Sequence, residues 1–242
     1  MTALPMNLEV VETADAVAQR AAAVIAGEAR LAVNARGRFV LAVSGGHTPW
    51  QMLRALATAD VPWPAVHIVQ VDERVAPAGN PDRNFTHLRE SLLDRAPLSA
   101  GQIHEMPVES PDLEAAARQY TAALQQIAGS PAVLDLVHLG LGPDGHTASL
   151  VPGDPVLKVD NADVAATGIY QGRRRMTLTY PIINRSRGIL WVITGSEKAP
   201  AFVRLFHGDQ SIPAGRIRRE RAQLIADEAA AAELAPEQTR RR

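Results

Sequence analysis

The chain contains no cysteine, which removes disulfides, thiolate metal sites and a cysteine nucleophile from consideration. Aromatic residues are scarce at 4%, so the core has to be built from aliphatic side chains and the abundant alanines, as suits helices packed closely on a sheet. No apolar run approaches membrane-spanning length, and the opening MTALPMNLEVVET lacks the basic and apolar regions of a signal peptide. A cytoplasmic location is the default expectation. Neither sign of charge dominates: the formal net charge is −1, which gives no electrostatic reason to expect a nucleic-acid or membrane partner. Any affinity for an anion must therefore be local. Histidines and carboxylates show no metal-ligand spacing, and neither a metal nor a cofactor is expected.

What is present alternates between two periodicities. Leu8–Val11, Phe39–Val43, His67–Val71, Leu134–Leu141, Met176–Tyr180, Gly188–Thr194 and Gln223–Ala226 read as strands. Helical segments lie between them: Ala14 to Val33, where Val17, Val24, Ile25 and Leu31 are spaced for one buried face and Thr13 is the N-cap; Trp50–Leu56; Asn84–Leu93; a stretch opened by Ser110-Pro111-Asp112 and closed at Gly129; one running to Phe206; and Ala229–Leu234. Strands alternating with helices along the whole length predict an α/β fold, a doubly wound, mostly parallel sheet with helices on both faces. With no repeat or linker, one domain is expected over 1–242, with 236–242 a disordered tail. The irregular connection from 153 to 172 reads as a lid or substrate-covering loop.

Three segments carry the chemistry. Phe39–Val43 runs into Ser44-Gly45-Gly46-His47-Thr48-Pro49, a small-residue turn whose exposed N–H groups suit a phosphate at a helix N-terminus; a turn that simply needs glycine explains it equally well. His67–Val71 ends in Asp72-Glu73-Arg74, three charges that need either solvent or a ligand. Asp135–Gly153, DLVHLGLGPDGHTASLVPG, is an apolar strand followed by Gly140, Gly142 and Gly145, delivering His146 into a segment that could start a helix. In an open α/β sheet this is where ligands bind, at the carboxyl ends of the strands. His146 is the first candidate for chemistry, whereas His138, inside the strand, reads as a core residue.

Taken in order, SGGHTP at Ser44, DERVAP at Asp72, LGLGPDGHTASLVPG from Leu139, RMTLTYPIIN from Arg175 and GSEKA from Gly195 resemble the 6-phosphogluconolactonases, within the larger group that includes glucosamine-6-phosphate deaminases. The likeness covers nearly the whole chain. It implies hydrolysis of a phosphorylated sugar lactone in the pentose phosphate pathway and a sugar-phosphate substrate; no cofactor is expected, and the expectation for assembly is a monomer or weak homodimer. Carried over, His146 resembles the catalytic histidine, and Asp72 and Arg74 match the DER motif at the site. Ser44, Gly45, Gly46 and Thr48, with Gly142, Asp144 and Gly145, match the sugar-phosphate pocket, while Arg175 and Lys198 match basic positions near the phosphate. Arg83 stands where such lactonases often have serine, and Arg173 and Arg174 have no transferable role.

Lactone opening asks for little: water delivered to the carbonyl carbon, a donor for the oxyanion, and a proton for the departing ring oxygen. One imidazole can do both proton transfers in turn. The oxyanion donor is assigned to Arg74 or to backbone N–H groups of the glycine turns; Asp72 is free to orient either the histidine or a substrate hydroxyl. The deaminase alternative meets an obstacle, because segments resembling DGHIAFNEPG place a proton-transferring glutamate where this chain has Val151. A non-catalytic sugar-phosphate-binding regulator is the second alternative, and ligand binding without turnover distinguishes it.

Overall fold

The computed structural model describes residues 6–235, so the tail expected at 236–242 lies outside the described residues. Strand β1 (Asn7–Val11) leads to helix α1 (Ala14–Arg36), whose N-cap Thr13 accepts from Ala16 N and whose C-cap Gly37 takes the left-handed conformation. Alanines 18, 21, 22, 26, 29 and 32, with Val17 and Ile25, form its buried face. Leu31, expected on that face, is instead 65% exposed. It lies six residues beyond Ile25, about 240° further round the helix.

Strand β2 (Phe39–Val43) is buried throughout, and its side chains divide by parity. Phe39, Leu41 and Val43 join the cluster of apolar side chains under α1, and Val40 and Ala42 join the one on the opposite face. There follow α2 (His47–Ala57), β3 (Val66–Gln70), β4 (Asp72–Arg74), α3 (Asn84–Leu88) with one π turn over Arg89–Leu93, β5 (Ile103–His104) and α4 (Leu113–Ala128). The chain continues through β6 (Leu136–Leu139), β7 (Val164–Ala166), β8 (Arg175–Leu178), α5 (Tyr180–Arg185), β9 (Gly188–Ile193), α6 (Ala199–His207) and β10 (Ala222–Asp227).

Seven strands form one sheet in the order β1-β10-β9-β6-β2-β3-β5, with every pairing parallel. From β2 the chain winds outward through β3 to β5; from β6 it winds the other way through β9 and β10. The direction reverses between β2 and β6, and a crevice opens above their carboxyl ends. A second sheet, antiparallel in the order β4-β8-β7, was not visible in the periodicity, because two of its strands have only three residues.

Several local expectations need correction. Helix α2 begins at His47 rather than Trp50, so the small-residue turn is shorter. Asp112, not Ser110, caps α4, its carboxylate accepting from Ala115 N. Met176–Tyr180 divides into β8 and the first residue of α5. No helix follows His146: Thr147 and Leu150 bridge across a tight turn. Ala229–Leu234 forms turns rather than a helix. Among the described residues no helix is long and apolar enough to cross a membrane.

Candidate active site

A cleft of about 620 Å³ occupies the crevice. Ser44, Gly45, Gly46, Thr48, Asp72, Arg74, Gly142, His146, Arg175 and Lys198 all line it. Five separate chain segments are thus brought together. The remaining two sequence candidates, Asp144 and Gly145, are not among its lining residues: Asp144 is exposed beside His146 and Gly145 is buried. Gly145 has φ 83°, and a Cβ there would meet Ile212 Cβ at 2.6 Å, so its glycine serves packing and turn geometry.

At the end of β2, Ser44 is tied to the neighbouring strand: its Oγ donates to His138 O at 2.9 Å, and its N–H to His138 Nδ1 at 3.3 Å. His138 is buried as expected, and desolvation pushes its pKa down to about 3, which keeps Nδ1 neutral and able to accept. Thr48 shares a 2.6 Å hydrogen bond with Thr194 at the end of β9, joining the first turn to the one that carries Lys198. Asp227, at the end of β10, accepts from Gly195 N and Ala230 N and fixes that second turn.

The DER triplet sends its three charges to three destinations. Glu73 is fully buried and accepts from Arg74 N, Asn84 N, Phe85 N and Gln70 Nε2 at 2.7–2.8 Å. It satisfies the free N–H groups that open α3. Arg83, itself 2% exposed, forms an ion pair with Glu73 at 3.3 Å and another with Glu105, and donates to Ala76 O. Arg74 NH1 donates to Asn84 Oδ1 and Asp82 O, each at 3.0 Å, at the cleft wall. Asp72 Oδ2 accepts from Ser149 Oγ at 2.6 Å.

His146 is held by Asp144, not by Asp72. Asp144 Oδ1 accepts from Nδ1 at 2.6 Å and from the backbone N of His146 at 3.1 Å. An ionised carboxylate can only accept, so the ring proton belongs on Nδ1, leaving Nε2 as the lone-pair nitrogen. Burial works against the charge on Asp144, but the hydrogen bonds and charge of His146 outweigh it and its pKa lies below the ordinary value. Gly142 approaches this pair closely: a Cβ there would stand 2.1 Å from His146 Nδ1.

Arg175 is 5% exposed, and its Nε has no hydrogen-bond partner among the described residues. Desolvation lowers its pKa, with Arg74 contributing in the same direction and Asp72 opposing. Three cations therefore border the cleft, Arg74, Arg175 and Lys198, against Asp72, Glu197 and Asp227. Sequence reasoning passed over Tyr170, Gln171, Asn84 and Thr194, which also line it. Tyr170 and Gln171 belong to the connection expected to cover substrate, but no residue pattern distinguished them within it. Arg173 and Arg174 are surface anchors, paired with Asp82 and Glu114 respectively.

A doubly wound sheet with an imidazole, a carboxylate and several cations lining a cleft at its switch point is the arrangement of an α/β enzyme site. More specifically, the chain belongs to the family described as glucosamine-6-phosphate isomerases/6-phosphogluconolactonase, whose sequence profile matches residues 12–226. It is 34% identical over 237 residues to a 6-phosphogluconolactonase of Nostoc, covering 94% of this chain and 98% of that one. A crystal structure of 6-phosphogluconolactonase from Thermotoga maritima superposes with a TM-score of 0.81 at 25% identity, covering 91% of this chain and 98% of that one. A monomeric glucosamine-6-phosphate deaminase also superposes at 0.81, with 20% identity over 94% of this chain and 99% of that one, so fold alone does not separate the two activities.

Proposed function

We propose that this chain hydrolyses 6-phospho-D-glucono-1,5-lactone to 6-phospho-D-gluconate, the hydrolytic step of the oxidative pentose phosphate pathway, with His146 as the general base and then acid. The observation that carries the reading is the Asp144–His146 pair at the edge of a cleft bordered by Arg74, Arg175 and Lys198. The activity named for relatives such as the Nostoc protein supports it.

In this reading Nε2 of His146 takes a proton from water as the oxygen attacks the lactone carbonyl carbon. The carbonyl electrons move onto oxygen, and Arg74 or a backbone N–H of the glycine turns stabilises that oxyanion. Its collapse breaks the bond to the ring oxygen, which receives the proton from the imidazolium. The products are a hydroxyl and a carboxylic acid, which releases its remaining water-derived proton to solvent and becomes the carboxylate. Asp144 stabilises the imidazolium between the two transfers. Asp72, which accepts from Ser149 and makes no hydrogen bond to the imidazole among the described residues, is left to hold a substrate hydroxyl. Ser44, Gly45, Gly46 and Thr48 with Lys198 and Arg175 supply the sugar-phosphate subsite.

Val151 carries the distinction from deamination. It is 7% exposed and offers no ionisable group where deaminase-like segments have glutamate. The direct test is lactone opening above the spontaneous rate with no metal or nucleotide added, alongside ammonia release from glucosamine 6-phosphate. Acceleration of the first alone supports lactonase activity. Ammonia release alone overturns it, as does saturable sugar-phosphate binding with no turnover of either compound.

A further inference from the structure

Tyr170 sits at the base of a two-residue hairpin turn that ends the β7–β8 ribbon. Its N–H donates to Arg173 O at 2.9 Å, and the two residues between, Gln171 and Gly172, have φ of 51° and 78°. Positive φ at both central positions matches a type I′ turn, whose twist fits that of the paired strands. Arg173 pins the tip to the loop after β4 through its ion pair with Asp82 and a hydrogen bond to Val75 O. The tip is thereby fastened at a defined height over the cleft, which Tyr170 lines.

From there the Tyr170 side chain makes three contacts with the candidate machinery. Its hydroxyl donates to Asp144 Oδ2 at 3.3 Å, so both oxygens of that carboxylate are engaged, one by the tyrosine and one by the imidazole. Its ring meets the His146 ring edge to face, with centroids 5.5 Å apart and planes at 66°. The Arg175 guanidinium carbon lies 4.9 Å from the ring centroid. A guanidinium covered on its face by an aromatic ring keeps its in-plane N–H donors available to an anion.

We infer that Tyr170 is a positioning residue that couples the acid–base pair to the phosphate side of the site, its hydroxyl and ring edge fixing the Asp144–His146 geometry while its face orients Arg175. This rests on the lactonase reading for its kinetic consequence but not for its structural one. The two halves of the side chain have separable effects. Tyr170→Phe keeps the ring and loses the hydroxyl: kcat falls about 3- to 10-fold with KM unchanged. Tyr170→Leu loses the ring as well, so kcat/KM falls at least about 30-fold, with KM for the phosphorylated lactone raised.

Recovery of KM by phenylalanine but not leucine, at equal melting temperatures, is the result expected of positioning. Wild-type kinetics in both variants overturn it, and so does a loss in Tyr170→Leu that tracks only its thermal stability. The same variants are compared by imidazole ¹⁵N NMR of His146. The Nδ1-protonated form dominates in the native protein and mixes with the Nε2-protonated form in Tyr170→Leu. An unchanged imidazole spectrum overturns the structural claim. Absence of lactone turnover in the native protein would defeat the functional reading, and the spectra would still decide the role of Tyr170.

Discussion

Asp144 Oδ1 lies 2.6 Å from His146 Nδ1, two residues away along one turn. Orientation of this imidazole is therefore local in sequence and needs no distant carboxylate. Replacing Asp144 by Asn keeps the shape but can present an N–H to Nδ1, which drives the ring proton to Nε2 and removes the lone pair from the cleft. We expect Asp144→Asn to lower kcat at least about 10²-fold with little change in KM. Steady-state kinetics on the phosphorylated lactone decide this, and activity near wild type would return the orienting role to another group.

Gly142→Ala should inactivate without unfolding. The added methyl carbon would fall 2.1 Å from Nδ1 and 2.8 Å from Asp144 Oδ1, so the imidazole has to move. A displacement of this kind costs about 10²-fold in rate. The variant should keep its melting temperature within a few degrees while kcat collapses; equal activity would show that the pair adjusts freely.

Arg83 is the buried counter-charge of Glu73. Removing it leaves Glu73 buried beside no cation and Glu105 unpaired, and breaking a buried ion pair from one side costs about 3–5 kcal/mol. Arg83→Ala should lower stability by about that amount in urea unfolding, whereas Arg83→Met, which keeps the aliphatic stem, loses less. A change below about 1 kcal/mol would mean that water replaces the guanidinium.

Stability should fall in mild acid because of His138. Its folded pKa, near 3, lies below the ordinary 6.5, so below pH 6.5 the unfolded chain takes up a proton that the folded one refuses. Stability present above 6.5 is lost progressively as the pH drops towards 3, by about 2 kcal/mol between pH 6.5 and 5. Burial lowers His67 and His104 as well, with the same sign. His138→Asn, which keeps an acceptor for Ser44 N, should flatten the slope of urea-derived stability against pH by about 2 kcal/mol over that interval. An unaltered slope would show that His138 takes up its proton without unfolding.

Much of this architecture was legible because it rests on local rules. Continuous apolar runs at Phe39–Val43 and Gly188–Ile193 announce parallel strands buried on both faces, and glycine after each strand marks where the chain turns over the sheet edge. The three-residue strands β4 and β7 were not legible, because so short a segment has no measurable periodicity. Nor did the pattern around α1 show that alanines would do the burying while Leu31 faced outward.

The sequence alone determined which residue is the candidate for proton transfer, since His146 follows a glycine-rich strand end in any parallel fold of this kind. It also determined the chemistry excluded at the far end of the motif, since Val151 cannot move a proton wherever it lies. Tertiary structure alone decided the partners. Asp72 and Asp144 are equivalent carboxylates on paper; the turn from Gly142 to His146 brings one to the imidazole, and β4 carries the other to Ser149. Tyr170 reaches the same pair only because β7 and β8 fold into a hairpin that returns it over the cleft, a long-range placement that side-chain identity does not encode.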